Sequence, residues 1–236
     1  MKNLVGILLF LVAAHTASAQ NTTVRVLAGD IIRQINEGRP VEYTNVEIEG
    51  DLDLTDLENR RLERSAYSLF DFGGNDTYES TVEVSLRFTN CTFLGDVLAY
   101  YHIERKQDTY LAHFEREVVF KNCTFRRASE FKYSEFTADA SFEGCTFSET
   151  ANFKYAEFSR GPVFRSALFD GGADFKYTEF PRETSFEKAT FHGLANFKYA
   201  KFKSPVNLNA TAFRGREDFK YTKVDGQDFT SYLLER

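Results

Sequence analysis

The chain has 236 residues, with 29 basic against 35 acidic side chains, a formal net charge of −6, no tryptophan and three cysteines. This mild, mixed acidity excludes the basic footprint of a nucleic-acid binder and the acidic block of a disordered tail. The cysteines lack metal-ligand spacing, and the length suits one domain.

Residues 1–19 read as a secretory signal peptide. Lys2 precedes an apolar run from Leu4 to Ala14, and Ala17-Ser18-Ala19 is a small-x-small cleavage site. The run is shorter than the roughly 20 residues of a membrane span, and no later stretch is apolar enough to be one. The mature chain is expected to begin at Gln20, in the periplasm or outside the cell. Residues 20–40 are expected to form a helical cap. Leu27, Ile31 and Ile35 share one helical face, and Gly38 and Pro40 stop the helix.

A different period starts at residue 41. The pairs Val41/Tyr43, Val46/Ile48 and Leu52/Leu54 have the two-residue spacing of strand side chains that point the same way. An insertion at about 55–81 follows, with Tyr67, Phe70, Phe72 and Tyr78 around Gly73-Gly74. A second, at about 100–113, reads as a hairpin with residues 105–108 near its tip. Leu54 to Val82 spans 28 residues and Ala99 to Phe114 spans 15, where the period elsewhere allows 5. Both insertions therefore interrupt the same corner in consecutive coils and should emerge side by side.

From Phe120 onward, Phe recurs at alternating spacings of 5 and 6 residues, giving a full repeat of 22. No helix keeps an apolar residue on one face at such spacings. A chain that turns a corner every five or six residues does. Four inward columns result. Column A holds Phe131, Phe153, Phe175, Phe197 and Phe219, and column B holds Phe114, Phe136, Phe158, Phe180 and Phe202. Column C holds Phe88, Phe120, Phe142, Phe164 and Phe186, and column D runs from Phe93 and Phe125 to Phe213. These columns take 21 of the 25 Phe residues into the core, so the abundance of Phe is structural. Cys91, Cys123 and Cys145 occupy the small inward position of column D and are expected to be buried thiols.

The segments Ala151-Asn-Phe-Lys-Tyr155, Ala173-Asp-Phe-Lys-Tyr177 and Ala195-Asn-Phe-Lys-Tyr199 resemble the pentapeptide-repeat pattern, small-(Asp/Asn)-(Leu/Phe)-x-x. The resemblance implies an all-β fold, a right-handed quadrilateral parallel β-helix, here over residues 41–230 with 231–236 as a C-terminal cap. The usual coil has 20 residues, so slightly bulged sides are expected on the two longer edges.

Catalysis finds no foothold in the pattern. There is no phosphate-binding loop and no nucleophile elbow, and His102 and His113 lack ligand spacing. No cofactor, metal or catalytic residue is expected. The expected role is a non-catalytic secreted or envelope scaffold that binds a protein or glycan, not a nucleic acid, through the loop-bearing aromatic corner. Candidate contact residues are Tyr101, Tyr133, Tyr155 and Tyr177 of an outward tyrosine column, Lys132 and Lys154 beside it, and Phe70, Phe72 and Tyr110 of the insertions. A column of aromatic faces suits sugar rings or the apolar edge of a protein. Two alternatives stay open: a topoisomerase-binding DNA mimic, as some proteins of the resembled family are, and a hydrolase with a loop-borne site.

Overall fold

The computed structural model describes residues 23–63 and 76–234. The expected signal segment, Phe70 and Phe72 lie outside the described residues. Four parallel sheets form the four sides of a β-helix. Each side takes its rungs from successive coils, 22 residues apart in the regular half, as in Phe125↔Phe147↔Phe169↔Phe191↔Phe213 on side D. Most rungs are only two residues long, one side chain pointing in and one out, as in Thr146-Phe147 or Ala151-Asn152.

The corners explain the 5–6 alternation. At the five-residue corners the chain makes a tight turn whose third residue has positive φ and whose fourth donates its N–H to the first. One such turn is Phe153-Lys154-Tyr155-Ala156, with Tyr155 at φ 59° and Ala156 N–H on the Phe153 carbonyl at 3.0 Å. This is type II geometry, in which the third position normally favours Gly or Asn. Between sides A and B that position is held by Tyr133, Tyr155, Tyr177, Tyr199 and Tyr221. Between C and D it is held by Asn45, Asn90, Asn122, Gly144, Ser166, Lys188 and Ala210. At the six-residue corners the extra residue sits in the bend between rungs, as at Ala138, so the sides are not bulged. A two-residue rung has no room for a bulge, and the open bend absorbs the added length.

The core is a close-packed phenylalanine stack. Within a column, rings lie nearly parallel, 4.5–6.1 Å apart, as at Phe180–Phe202 and Phe158–Phe180. Between columns they meet edge to face, as Phe142 meets Phe153 at 5.2 Å and 80°. Both arrangements suit the ring quadrupole. The inward small residues carry a second ladder. The Cys145 thiol donates to the Phe120 carbonyl one coil back, and the Thr178 and Thr222 hydroxyls donate to the Phe153 and Phe197 carbonyls in the same way.

Both ends differ from the sequence expectation. The capping helix covers Ala28–Asn36, and residues Val24–Leu27 before it form a strand, paired in parallel with Val46–Glu49 as the first rung of side D. Val24 and Val26 favour an extended chain, and the rung satisfies backbone groups that the first coil would otherwise leave bare. Ala28, Ile31 and Ile35 are buried beneath the helix. Gly38, at φ 68°, closes it, its N–H on the Ile35 carbonyl and that of Arg39 on the Gln34 carbonyl, a full Schellman motif. The C-terminal cap begins earlier than residue 231. The chain reverses at Gly226, Gln227–Asp228 pairs antiparallel with Lys223–Val224, and a helix covers Phe229–Leu234. Phe229 is buried and stacks on Phe219 at 4.6 Å, taking the place of the next coil's ring.

The three cysteines are free and buried. Neighbouring thiols and burial push Cys91 well above the usual thiol range, and Cys123 up to about 12, chiefly through the thiol of Cys145. The thiolate is the reactive form. An aromatic disulfide reagent at pH 8 is therefore expected to titrate no thiol in the folded protein and three after unfolding in guanidinium. Rapid labelling of the native form would contradict the buried ladder.

Candidate functional site: the aromatic corner

The two insertions build one small sheet that extends side B beyond the A–B corner. Arg61–Glu63 pairs antiparallel with Thr77–Val82, which pairs in parallel with Asp108–Phe114, which pairs antiparallel with Tyr100–Ile103. The inner ends of the two long strands, Val82 and Phe114, belong to the rod's own core. The outer ends project from it.

Adjacent residues on a strand face opposite ways, and this divides the aromatic residues into two groups. Tyr100 reaches the tyrosine column, its ring 6.1 Å from that of Tyr133. Lys132 lies between them, donating to the Tyr100 hydroxyl at 2.9 Å with its ammonium 4.3 Å from the ring centre. Tyr101 points the other way and packs 6.2 Å from Tyr110, which stacks on Tyr78 at 4.9 Å. The repeat count predicts Tyr101 for the column, but Tyr100 heads it instead. The column tyrosines stand on left-handed corners, whereas after Ala99 the chain continues straight into a strand, and the parity of the two neighbours is exchanged. Tyr110 likewise lies apart from Tyr133, Tyr155 and Tyr177.

The column itself is a continuous stack. Tyr133, Tyr155, Tyr177, Tyr199 and Tyr221 follow one another at 4.7–4.9 Å, with interplanar angles of 2–20°. Lys154, Lys176, Lys198 and Lys220 each lie 4.9–5.4 Å from the ring of the next residue. Ring faces are therefore covered by neighbouring rings, and the column offers edges and hydroxyls, not the open faces expected from sequence. Between it and the outward residues of side B runs a groove of about 870 Å³, lined by Tyr177, Tyr199, Tyr221, Phe180, Lys201 and Lys223 among others.

Beside the lysines, on side A, stands a row that alternates in charge: Glu130, Asn152, Asp174, Asn196 and Asp218. Asn152 donates to Glu130 at 2.6 Å and Asn196 to Asp174 at 2.9 Å. Each amide thus sits between two carboxylates that lie two coils apart, so no two carboxylates of the row are direct neighbours. The same side chains accept the N–H two residues on, as Asp174 does from Lys176 at 3.0 Å, which fixes the entry to the corner. Burial holds the Glu130 carboxyl above the usual carboxylate range, against the opposing pull of the Asn152 amide and Lys132.

The second aromatic group is a row across all four strands of the projecting sheet: Leu62, Tyr78, Tyr110 and Tyr101 are successive cross-strand neighbours. Leu62 is 39% and Tyr101 49% exposed. Arg60 lies 5.5 Å from the Tyr110 ring centre. With Asp53, Thr55, Asp56, Arg60 and Ile103, Tyr101 and Tyr110 of the row line a cleft of about 250 Å³ in the angle between this sheet and side A. Leu62 and Arg60 join the site beyond the residues the sequence pattern marks. The alternation Arg61-Leu-Glu against Thr77-Tyr-Glu is the signal that pairs Leu62 with Tyr78. On the opposite face, His113 lies 3.6 Å from Glu79 and accepts the Glu135 N–H, and His102 bonds Thr109. Among the described residues, no group of three or more His, Cys, Asp or Glu side chains converges as a metal site would.

The family profile described as Pentapeptide repeats (9 copies) matches residues 111–157 and again 153–201, the stretch where the tyrosine corners recur without interruption. Residues 111–201 are therefore pentapeptide repeats. Comparison with curated proteins finds no match, nor does comparison with solved structures. The regular coils of this pentapeptide-repeat scaffold carry the profile match, while the projecting sheet lies almost wholly N-terminal to it.

Proposed function

We propose that this pentapeptide-repeat protein is an exported, non-catalytic scaffold that docks a partner protein in the aromatic angle between the projecting sheet and side A. The observation that carries this reading is the row Leu62–Tyr78–Tyr110–Tyr101, which leaves apolar surface exposed on a sheet held at its base by the rod's core. Isolated apolar residues on a surface are ordinary, but a contiguous row beside a cleft is the form a docking site takes. Loops that carry function on a rigid scaffold fit the same pattern.

A protein partner fits better than a glycan. A sugar ring needs an open aromatic face, and the tyrosine column offers edges between stacked rings. Tyr110 is likewise flanked by Tyr78, with Arg60 across it. A DNA mimic needs a continuous acidic strip, and the outward rows instead alternate acid with amide on side A and change from Glu to Lys on side B. Export rests on the leader-like residues 1–19.

The test is site-specific photocrosslinking in producing cells, with a photoreactive phenylalanine at Tyr101 or, as a control, at Ser141 on side C. A discrete protein adduct is expected from position 101 alone, reduced at least fivefold when Tyr110 is also changed to Ser. Equal adducts from both positions, a glycan adduct, or no adduct at all would overturn the reading.

A further inference from the structure

We infer that a second copy of the chain packs against side B, antiparallel, about a two-fold axis perpendicular to the rod near Glu179. This surface lies apart from the aromatic angle proposed above and does not rest on it. The outward residues of side B, read down the rod, are Glu135, Glu157, Glu179, Lys201 and Lys223, one per coil in strict register, and the closing rung adds Asp228, paired with Lys223 at 2.6 Å. From Glu135 to Lys223 the column passes from acidic to basic, with Asp228 partly offsetting its last lysine. A two-fold axis lying in the plane of contact keeps this column opposite itself while inverting its order. Glu157 then faces Lys201 of the other copy, Glu135 faces Lys223, and the one like-charge contact is Glu179 on its own counterpart at the axis, offset by the Lys201 beside each. A parallel arrangement would instead set like charges against each other, so the order of residues selects the antiparallel one.

The same operation sets the tyrosine column opposite itself. Tyr177 and Tyr199 lie nearest the axis, and the groove beside them can take the edges and lysine stems of the other copy. Tyrosine edges and hydroxyls suit such a half-polar contact. Five coils at about 4.8 Å per rung give a face of roughly 25 Å by 15 Å, or roughly 400 Å² from each copy. The total of roughly 800 Å² is below the roughly 1,200 Å² of stable complexes, so the dimer is a weak one that forms at high protein concentration and depends on its charges. Within the chain, Glu179 and Lys201 already pair at 2.6 Å, as neighbours at the change of sign must.

Sedimentation velocity from 10 to 500 µM decides the matter, on the mature protein and on two charge variants, K201E/K223E and E135K/E157K. All four positions point outward, so the variants are expected to keep the wild-type circular dichroism spectrum. Wild type is expected to move toward dimer in 50 mM salt and to revert in 500 mM salt. Each variant alone should stay monomeric, at least tenfold weaker in association. An equimolar mixture of the two should regain the dimer, because the reversed columns are again complementary. A wild type that stays monomeric at 500 µM in 50 mM salt, or variants whose mixture does not recover, would overturn the proposal. Changing Tyr110 to Ser should leave the dimer unaffected, which separates this surface from the partner site.

Discussion

Replacing Phe153 with alanine is expected to destabilise the protein by about 3–5 kcal/mol, the cost of a large cavity in a close-packed core. Phe153 is fully buried mid-rod. It stacks on Phe131 at 5.0 Å and Phe175 at 5.2 Å and meets Phe142 and Phe164 edge to face. Neighbouring coils are held in register by backbone ladders on four sides and cannot close in to fill the space. For a chain of this size about 2–4 °C of melting temperature is lost per kcal/mol, so the drop should be roughly 6–20 °C. Phe213 provides the contrast. It is a partly buried ring near the C-terminal end, and its alanine variant should lose less than half as much. Melting followed by circular dichroism measures both, and equal losses would mean that the aromatic stack is not the cooperative core described here.

The second large effect is expected from charge without any loss of volume. Changing Asn152 and Asn196 together to Asp removes two amide donors and leaves five carboxylates in consecutive coils: Glu130, 152, 174, 196 and 218. Each lost hydrogen bond strands an acceptor, at about 1–3 kcal/mol, and each new neighbour adds like-charge repulsion of about 1 kcal/mol or more. With two lost hydrogen bonds and four new neighbour pairs, each at the low end of its range because the row is only part-buried, a loss of roughly 6 kcal/mol at pH 7 is the expected sum. The pH dependence has a definite sign. Repulsion, added to the burial that already raises Glu130, makes the folded state prefer protonated carboxyls. The folded variant then binds more protons than the unfolded chain, so the deficit is largest at neutral pH and shrinks as pH falls through the raised folded values. Urea titrations at pH 7 and pH 4.5 would show this. A deficit that does not change between the two would locate the damage in backbone geometry and not in charge.

The regular coils were the most legible part of the chain because every coil poses the same problem. A Phe that must point inward at each corner leaves a 5–6 spacing that no helix could produce, and the columns read from it coincide with the observed rungs, including Val82 on Phe114 and Ile48 on Phe93. The ends were harder to read. Residues 24–27 and 227–234 meet the core once, so no repetition reveals their register, and the first rung looked like the start of a helix. The candidate site was legible in location and not in orientation. Where the insertions leave the rod follows from counting. Whether Tyr100 or Tyr101 joins the column depends on whether the chain turns or runs straight after Ala99, a one-residue parity that hydrophobic spacing does not report. The coverage of tyrosine faces was also beyond the sequence, since a column of identical residues has the same spelling whether its rings lie flat or stand in a stack.

The way the two termini are placed has a mechanical consequence. The first rung, at Val24–Leu27, and the closing helix at Phe229–Leu234 lie at opposite ends of the rod, and the ladder hydrogen bonds run along its axis. Tension applied between the termini therefore peels the terminal coil away, breaking its bonds in sequence and not all at once. Each 22-residue coil released adds roughly 73–79 Å of contour length, at about 3.3–3.6 Å per residue. A fold built on a continuous aromatic column should thus yield to a pull one coil at a time, in even steps from the C-terminal cap and in longer first steps from the N-terminal cap, whose coils carry the insertions.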